Sequence, residues 1–136
     1  MLRVVVDTNI ILSSIYIKSK AHSIIQKLFE GKYELYISNE ILLEYEEKLQ
    51  QNFNKTIANN FITSLLILPN VIKIEPLFKL DILKDKDDNK FLDIYYTSKS
   101  NYLVTNDKDF NIIKNITFPK HNIITINEFI NIISKQ

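Results

Sequence analysis

The feature that most constrains this chain is its alternation of short, apolar, β-branched runs with longer stretches of helical periodicity. Val4-Val5-Val6 ends in Asp7-Thr8-Asn9 and reads as a strand buried on both faces that stops at helix-starting residues. A helical pattern runs from Ile10 to Phe29, broken near Lys18-Ser19-Lys20, and stops at Gly31, the only glycine. Glu34–Ile37 reads as a second strand. Ser38 then caps a helix through about Gln51, and Asn54 begins another with apolar Ile57, Phe61, Leu65 and Leu68, ending before Pro69. Val71–Ile74 is a third strand, and Glu75–Asp87, with Pro76 and four acids, a solvated loop. Asn89–Lys99 reads as a helix, Tyr102–Thr105 and Ile123–Ile126 as the fourth and fifth strands, and Glu128–Ile133 as a closing helix. The pattern predicts an α/β fold in three layers, α/β/α, with a central, mostly parallel sheet of about five strands. At 136 residues with no repeat or linker, residues 1–136 are expected to form one domain.

Composition mainly excludes. Without cysteine there are no disulfides, thiolate metal sites or cysteine nucleophiles. His22 and His121 form no ligand pair, so zinc has little support. A net charge of +1 neither demands nor forbids a polyanionic partner. The apolar start is interrupted by Asp7 and Asn9 with no cleavage site behind it, and no stretch approaches the ~20 apolar residues of a membrane span, so a soluble, cytoplasmic protein without membrane contact is expected.

Carboxylates remain as the candidate chemistry. In an open parallel sheet, ligands bind beyond the carboxyl ends of the strands. Asp7 directly follows the first strand and Asp107 follows Tyr102–Thr105, so both should face one edge. Asp88 opens a helix whose i+3, i+4, i+7 and i+8 positions, Phe91, Leu92, Tyr95 and Tyr96, form its buried stripe, which sets Asp88 at the rim of the core. On the helix after the second strand, with Ile41, Leu42, Tyr45 and Leu49 inward, Glu44 and Glu46 both lie on the flanks, and the ~100° helical step does not choose between them. Singly, each acid is more often a cap or a solvated side chain. Together they would repel one another, and a hard divalent cation relieves that.

Four segments, in order, resemble the PIN-domain nucleases, and more narrowly the toxin branch of bacterial toxin–antitoxin systems. They are Arg3-Val-Val-Val-Asp-Thr-Asn-Ile-Ile-Leu-Ser13, Tyr36-Ile-Ser-Asn-Glu-Ile-Leu-Leu-Glu44, Asp85-Lys-Asp-Asp-Asn-Lys-Phe-Leu92 and Tyr102-Leu-Val-Thr-Asn-Asp107. The resemblance spans essentially the whole chain and implies that the catalytic, metal-holding acids are Asp7, Glu44, Asp88 and Asp107, choosing Glu44 over Glu46. It gives Thr8, Asn9, Ser13 and Thr105 the supporting polar positions and leaves Asp87 and Asp109 peripheral. Asn106 stands where many relatives carry glycine and Lys86 where many carry proline, so these two loops are expected to differ in shape.

The resemblance implies a metal-dependent endoribonuclease that uses one or two Mg²⁺ or Mn²⁺ ions and metal-activated water on RNA. It also implies a small antitoxin partner and a homodimer. Lys18, Lys20, Lys48 and Lys90 are candidates to guide the RNA backbone. The alternative is a PIN-like module that binds RNA or protein with little catalysis. Other readings are weaker on their residues. Asp85, Asp87 and Asn89 begin like a calcium loop, but Lys90 and Tyr96 occupy its glycine and glutamate positions. A dinucleotide fold lacks its glycines, and Asn9 breaks the D-x-D of a dehalogenase-type phosphatase.

Overall fold

The computed structural model describes residues 1–115 and 122–135. Five strands form one all-parallel sheet in the order β3-β2-β1-β4-β5: β1 (Arg3–Val6), β2 (Glu34–Ile37), β3 (Val71–Lys73), β4 (Tyr102–Val104) and β5 (Ile123–Ile124). The helices are α1 (Thr8–Ser14), α2 (His22–Phe29), α3 (Asn39–Asn52), α4 (Lys55–Leu66), α5 (Asn89–Thr97) and α6 (Ile126–Ser134). This is the expected three-layer α/β/α arrangement. The central strand explains why. Val4, Val5 and Val6 are wholly buried with β2 and β4 on either side, and each is worth roughly 1.5–3 kcal/mol of apolar transfer. None of the described helices is long and apolar enough to cross a membrane.

Order in the sheet decides where a site can form. From β1 the chain moves outward through β2 and β3, then returns to the other side of β1 for β4 and β5. The direction reverses between β1 and β4, and the crevice beyond their carboxyl ends is where such sheets receive ligands. Val6 pairs with Val104 there, and the Asp7 N–H donates to the Val104 carbonyl at 3.0 Å.

Several boundaries differ from the sequence reading. The stretch from Ile10 to Phe29 is two helices. The first already starts at Thr8, and the break spans residues 15–21, because a chain of turns replaces the helix from Tyr16. On α4 the buried stripe is Ala58, Phe61, Ile62 and Leu65, while Ile57 sits beside the cap and is exposed. β4 and β5 are shorter than expected, and α5 stops at Thr97. α6 begins at Ile126, since Thr125 and Glu128 form a reciprocal capping box that makes Glu128 the third helical residue, not the first. The loop between β3 and α5 is mostly exposed but not wholly solvated. Leu83 is buried, held by its N–H to Asn89 Oδ1 at 2.9 Å, and the Leu80 N–H reaches Asp93 Oδ1 at 2.9 Å. His121 lies outside the described residues.

Candidate functional site

Asp7 and Asp88 both stand at helix entries, yet neither carboxylate caps its helix. The commonest structural use for an aspartate there is therefore absent. Both side chains are buried, at 6% and 8% exposure. Asp7 Oδ2 accepts from the Thr105 hydroxyl at 2.7 Å, and the same hydroxyl oxygen accepts the Asp107 N–H at 3.0 Å. One threonine at the end of β4 thus ties the first acid to the backbone of the last. Asp107 spends its Oδ1 on the Asp109 N–H at 2.9 Å, opening the 3-10 turn of Lys108–Asn115.

The electrostatics mark a cluster short of positive charge. Burial pushes the Asp88 carboxyl from 3.8 up to about 7, with Asp107, Asp85, Asp7 and Asp109 adding repulsion. Asp7 is also raised, first by burial and then by Asp107 and Glu44, against the hydrogen bond from Thr105. Asp88 Oδ2 is buried with no hydrogen-bond partner among the described residues. A native buried oxygen left without a donor calls for an explanation, and a cation supplies one. Oxygens of Asp85, Asp88 and Asp109 lie within 4.8 Å of one another. This trio shares only Asp88 with the four acids named from the sequence, so the described acidic region extends outward past them. Hard oxygen donors of this kind suit Mg²⁺ or Mn²⁺.

Glu44 differs from the other three. It lies on α3 beside Asp7 and repels it, but its Oε1 is 2.7 Å from the Lys90 ammonium and its Oε2 accepts from the Thr8 hydroxyl. Lys90, one of the candidates to guide an RNA backbone, is held in this ion pair. Lys18 and Lys20 are exposed and Lys48 is partly buried.

The remaining candidates divide. Thr8 and Thr105 are buried and bonded to acids, as described. Ser13 turns its hydroxyl to the Asn9 carbonyl at 3.0 Å, within its own helix. With Asp7, Asp107 and Asn106 they border a cleft of about 230 Å³. Asp87 is exposed. Asn106 accepts the Ile126 N–H at 3.0 Å and anchors the start of α6, a contact glycine cannot make. Lys86 pairs with Asp81 at 2.6 Å. A larger cleft of about 530 Å³ lies beyond Lys90, between the start of α3 and the β3–α5 loop, and contains none of the four acids. We place the site at the acids, because the orphaned Asp88 oxygen and the raised carboxyls are there. Sequence reasoning missed Asp85 as a member of the cluster. Its spacing of three from Asp88 across a helix entry was the available signal, and the loop reading hid it.

Comparison with known proteins adds three findings. The family model described as PIN domain matches residues 3–109. An uncharacterised protein of Methanocaldococcus jannaschii is 33% identical over 113 residues, 79% of this chain and 72% of that protein. The crystal structure of VapBC2 from Rickettsia felis, bound to a DNA fragment from its promoter, is similar with a TM-score of 0.62 at 15% identity, covering 91% of this chain and 98% of that one. At that identity the likeness is one of fold.

Proposed function

The chain belongs to the PIN-domain family, and from that premise we propose that it is a metal-dependent endoribonuclease, the toxin member of a toxin–antitoxin pair. The observation that carries the reading is the buried, unpartnered oxygen of Asp88 among repelling carboxylates. In this reading Asp7, Asp88 and Asp107 hold Mg²⁺ or Mn²⁺, with Glu44 completing the acidic ring. The divalent cation, when bound, supplies an activated water for attack on phosphorus and neutralises charge on the phosphate.

The protein's own residues do the rest. Thr105 orients Asp7 and fixes where Asp107 begins, and Thr8 orients Glu44. Asn9 and Ser13 line the cleft beside Asp7 and Asp107, where the substrate backbone would enter. Asp87 and Asp109 remain peripheral, with Asp109 able to join through Asp88. The toxin assignment carries a small antitoxin partner, a homodimer, a cytoplasmic site of action and a single domain over residues 1–136. The resemblance to the toxin branch supports it, as does the likeness in fold to VapBC2.

The test incubates the purified chain with labelled structured and single-stranded RNAs in Mn²⁺, Mg²⁺ or EDTA, beside Asp7→Asn and Asp88→Asn. Cleavage is expected with either metal, none with EDTA, and a fall of about a hundredfold or more in each variant, as when a preorganised charge is removed from an active site. Cleavage surviving EDTA or both substitutions rejects the reading. RNA binding without cleavage in every metal supports a binding module instead.

A further inference from the structure

Among the described residues, one lysine, Lys90, is ion-paired to a member of the acidic region. Lys90 is the second residue of α5, two positions after Asp88, so the two side chains leave the helix entry on different sides. Asp88 shares a group of carboxylate oxygens within 4.8 Å of one another with Asp85 and Asp109, whereas the Lys90 ammonium stands 2.7 Å from Glu44 Oε1 and 5.6 Å from the centre of the Phe91 ring. The pair is largely shielded from water, with side-chain exposures of 12% for Lys90 and 18% for Glu44. The Thr8 hydroxyl takes the other Glu44 oxygen. Among the described residues, no lysine or arginine makes an ion pair with Asp7, Asp85, Asp88, Asp107 or Asp109.

We propose that Lys90 is the standing counter-cation of Glu44, a positioning residue that keeps this carboxylate out of the direct ligand set and centres divalent-cation binding on Asp88. The inference rests on the nuclease reading of the same site and refines it. A divalent ion approaching Glu44 meets an ammonium already in contact with it, and in a shielded site that repulsion is only weakly screened. At Asp88 the same ion meets a bare oxygen and negative neighbours. Lys90 therefore divides four similar acids into one that is already neutralised and three that are not.

Mn²⁺ binding to the full chain, followed through the paramagnetic resonance of the free ion, tests this with Lys90→Met, Lys90→Arg and the double variant Glu44→Gln/Lys90→Met. Lys90→Met releases a carboxylate and should tighten Mn²⁺ by about tenfold or more, the size of effect that a neighbouring group has on a metal site. Lys90→Arg should bind as the wild type does. The double variant removes the pair as a unit and should stay within about threefold of wild type, well below the cost of losing a ligand or its partner. A Lys90→Met isotherm that overlays wild type overturns the proposal, and so does a double variant weakened about tenfold, which makes Glu44 a direct ligand. Should Lys90→Met fail to fold, judged by circular dichroism in EDTA, the double variant decides alone. A folded wild-type chain that takes up no Mn²⁺ overturns the nuclease reading together with this inference, whereas the other two failures leave that reading standing.

Discussion

The two flanks of the acidic region solve the same electrostatic problem in opposite ways. On the α3 flank, Glu44 is answered by the ammonium of Lys90 and the hydroxyl of Thr8. On the α5 flank, Asp88 is surrounded by other aspartates, its carboxyl is pushed up to about 7, and one oxygen has no donor. Thr105 lies on the seam, bonded to Asp7 and to the backbone of Asp107. The lesson is that four carboxylates proposed for one role need not be equivalent. A flank that is already neutral stabilises the empty protein, and a flank left short of charge stabilises it only when a proton or a cation arrives.

Substitutions in metal-free protein can break that contrast. The largest effect is expected at Asp88. Because its carboxyl is raised from 3.8 to about 7 in the folded chain, the folded state holds the proton more tightly than the unfolded one. Its contribution to stability is present below about pH 4 and lost as the pH climbs through about 7. Asp88→Asn should therefore leave stability unchanged at pH 4. At pH 8 in EDTA it should add on the order of 2 kcal/mol, a rise of roughly 5–10 °C in melting temperature. Scanning calorimetry at the two pH values reads it, and a variant less stable at pH 8 contradicts the account of that flank.

At the seam, Thr105→Val removes one donor and one acceptor from a buried site and should cost about 1.5 kcal/mol in urea denaturation. A loss near zero would mean that Asp7 and Asp107 are positioned independently. The smallest effect belongs to the neutralised flank. Glu44→Gln keeps hydrogen bonding but leaves Lys90 unpaired at a site that still touches water, and should lower stability by about 1 kcal/mol at pH 8, opposite in sign to Asp88→Asn. Equal signs for the two exchanges would erase the distinction between flanks.

Much of the scaffold could be read from particular residues. Three consecutive valines ending in Asp-Thr-Asn announce a buried central strand and the start of a helix, and they deliver both. The reading failed where tertiary contacts override local pattern. The Glu75–Asp87 loop is polar by composition, but Asn89 and Asp93 reach back from α5 to bond its backbone, and no local periodicity signals a contact across that distance. Asp7 and Asp107 could be placed near each other because strand ends in a parallel sheet share an edge. The Lys90–Glu44 pair could not, since it depends on how two helices far apart in the chain turn relative to one another, and lysine is too common in this chain to stand out.

Tyr45, next to Glu44, points its phenol through the core to the Val6 carbonyl at 2.5 Å, and Val6 in turn precedes Asp7. Two adjacent pairs, Val6-Asp7 and Glu44-Tyr45, are thereby riveted together by a bond that water cannot reach. The backbones that carry the first two acids are consequently tied to each other through the interior, and not by surface turns alone.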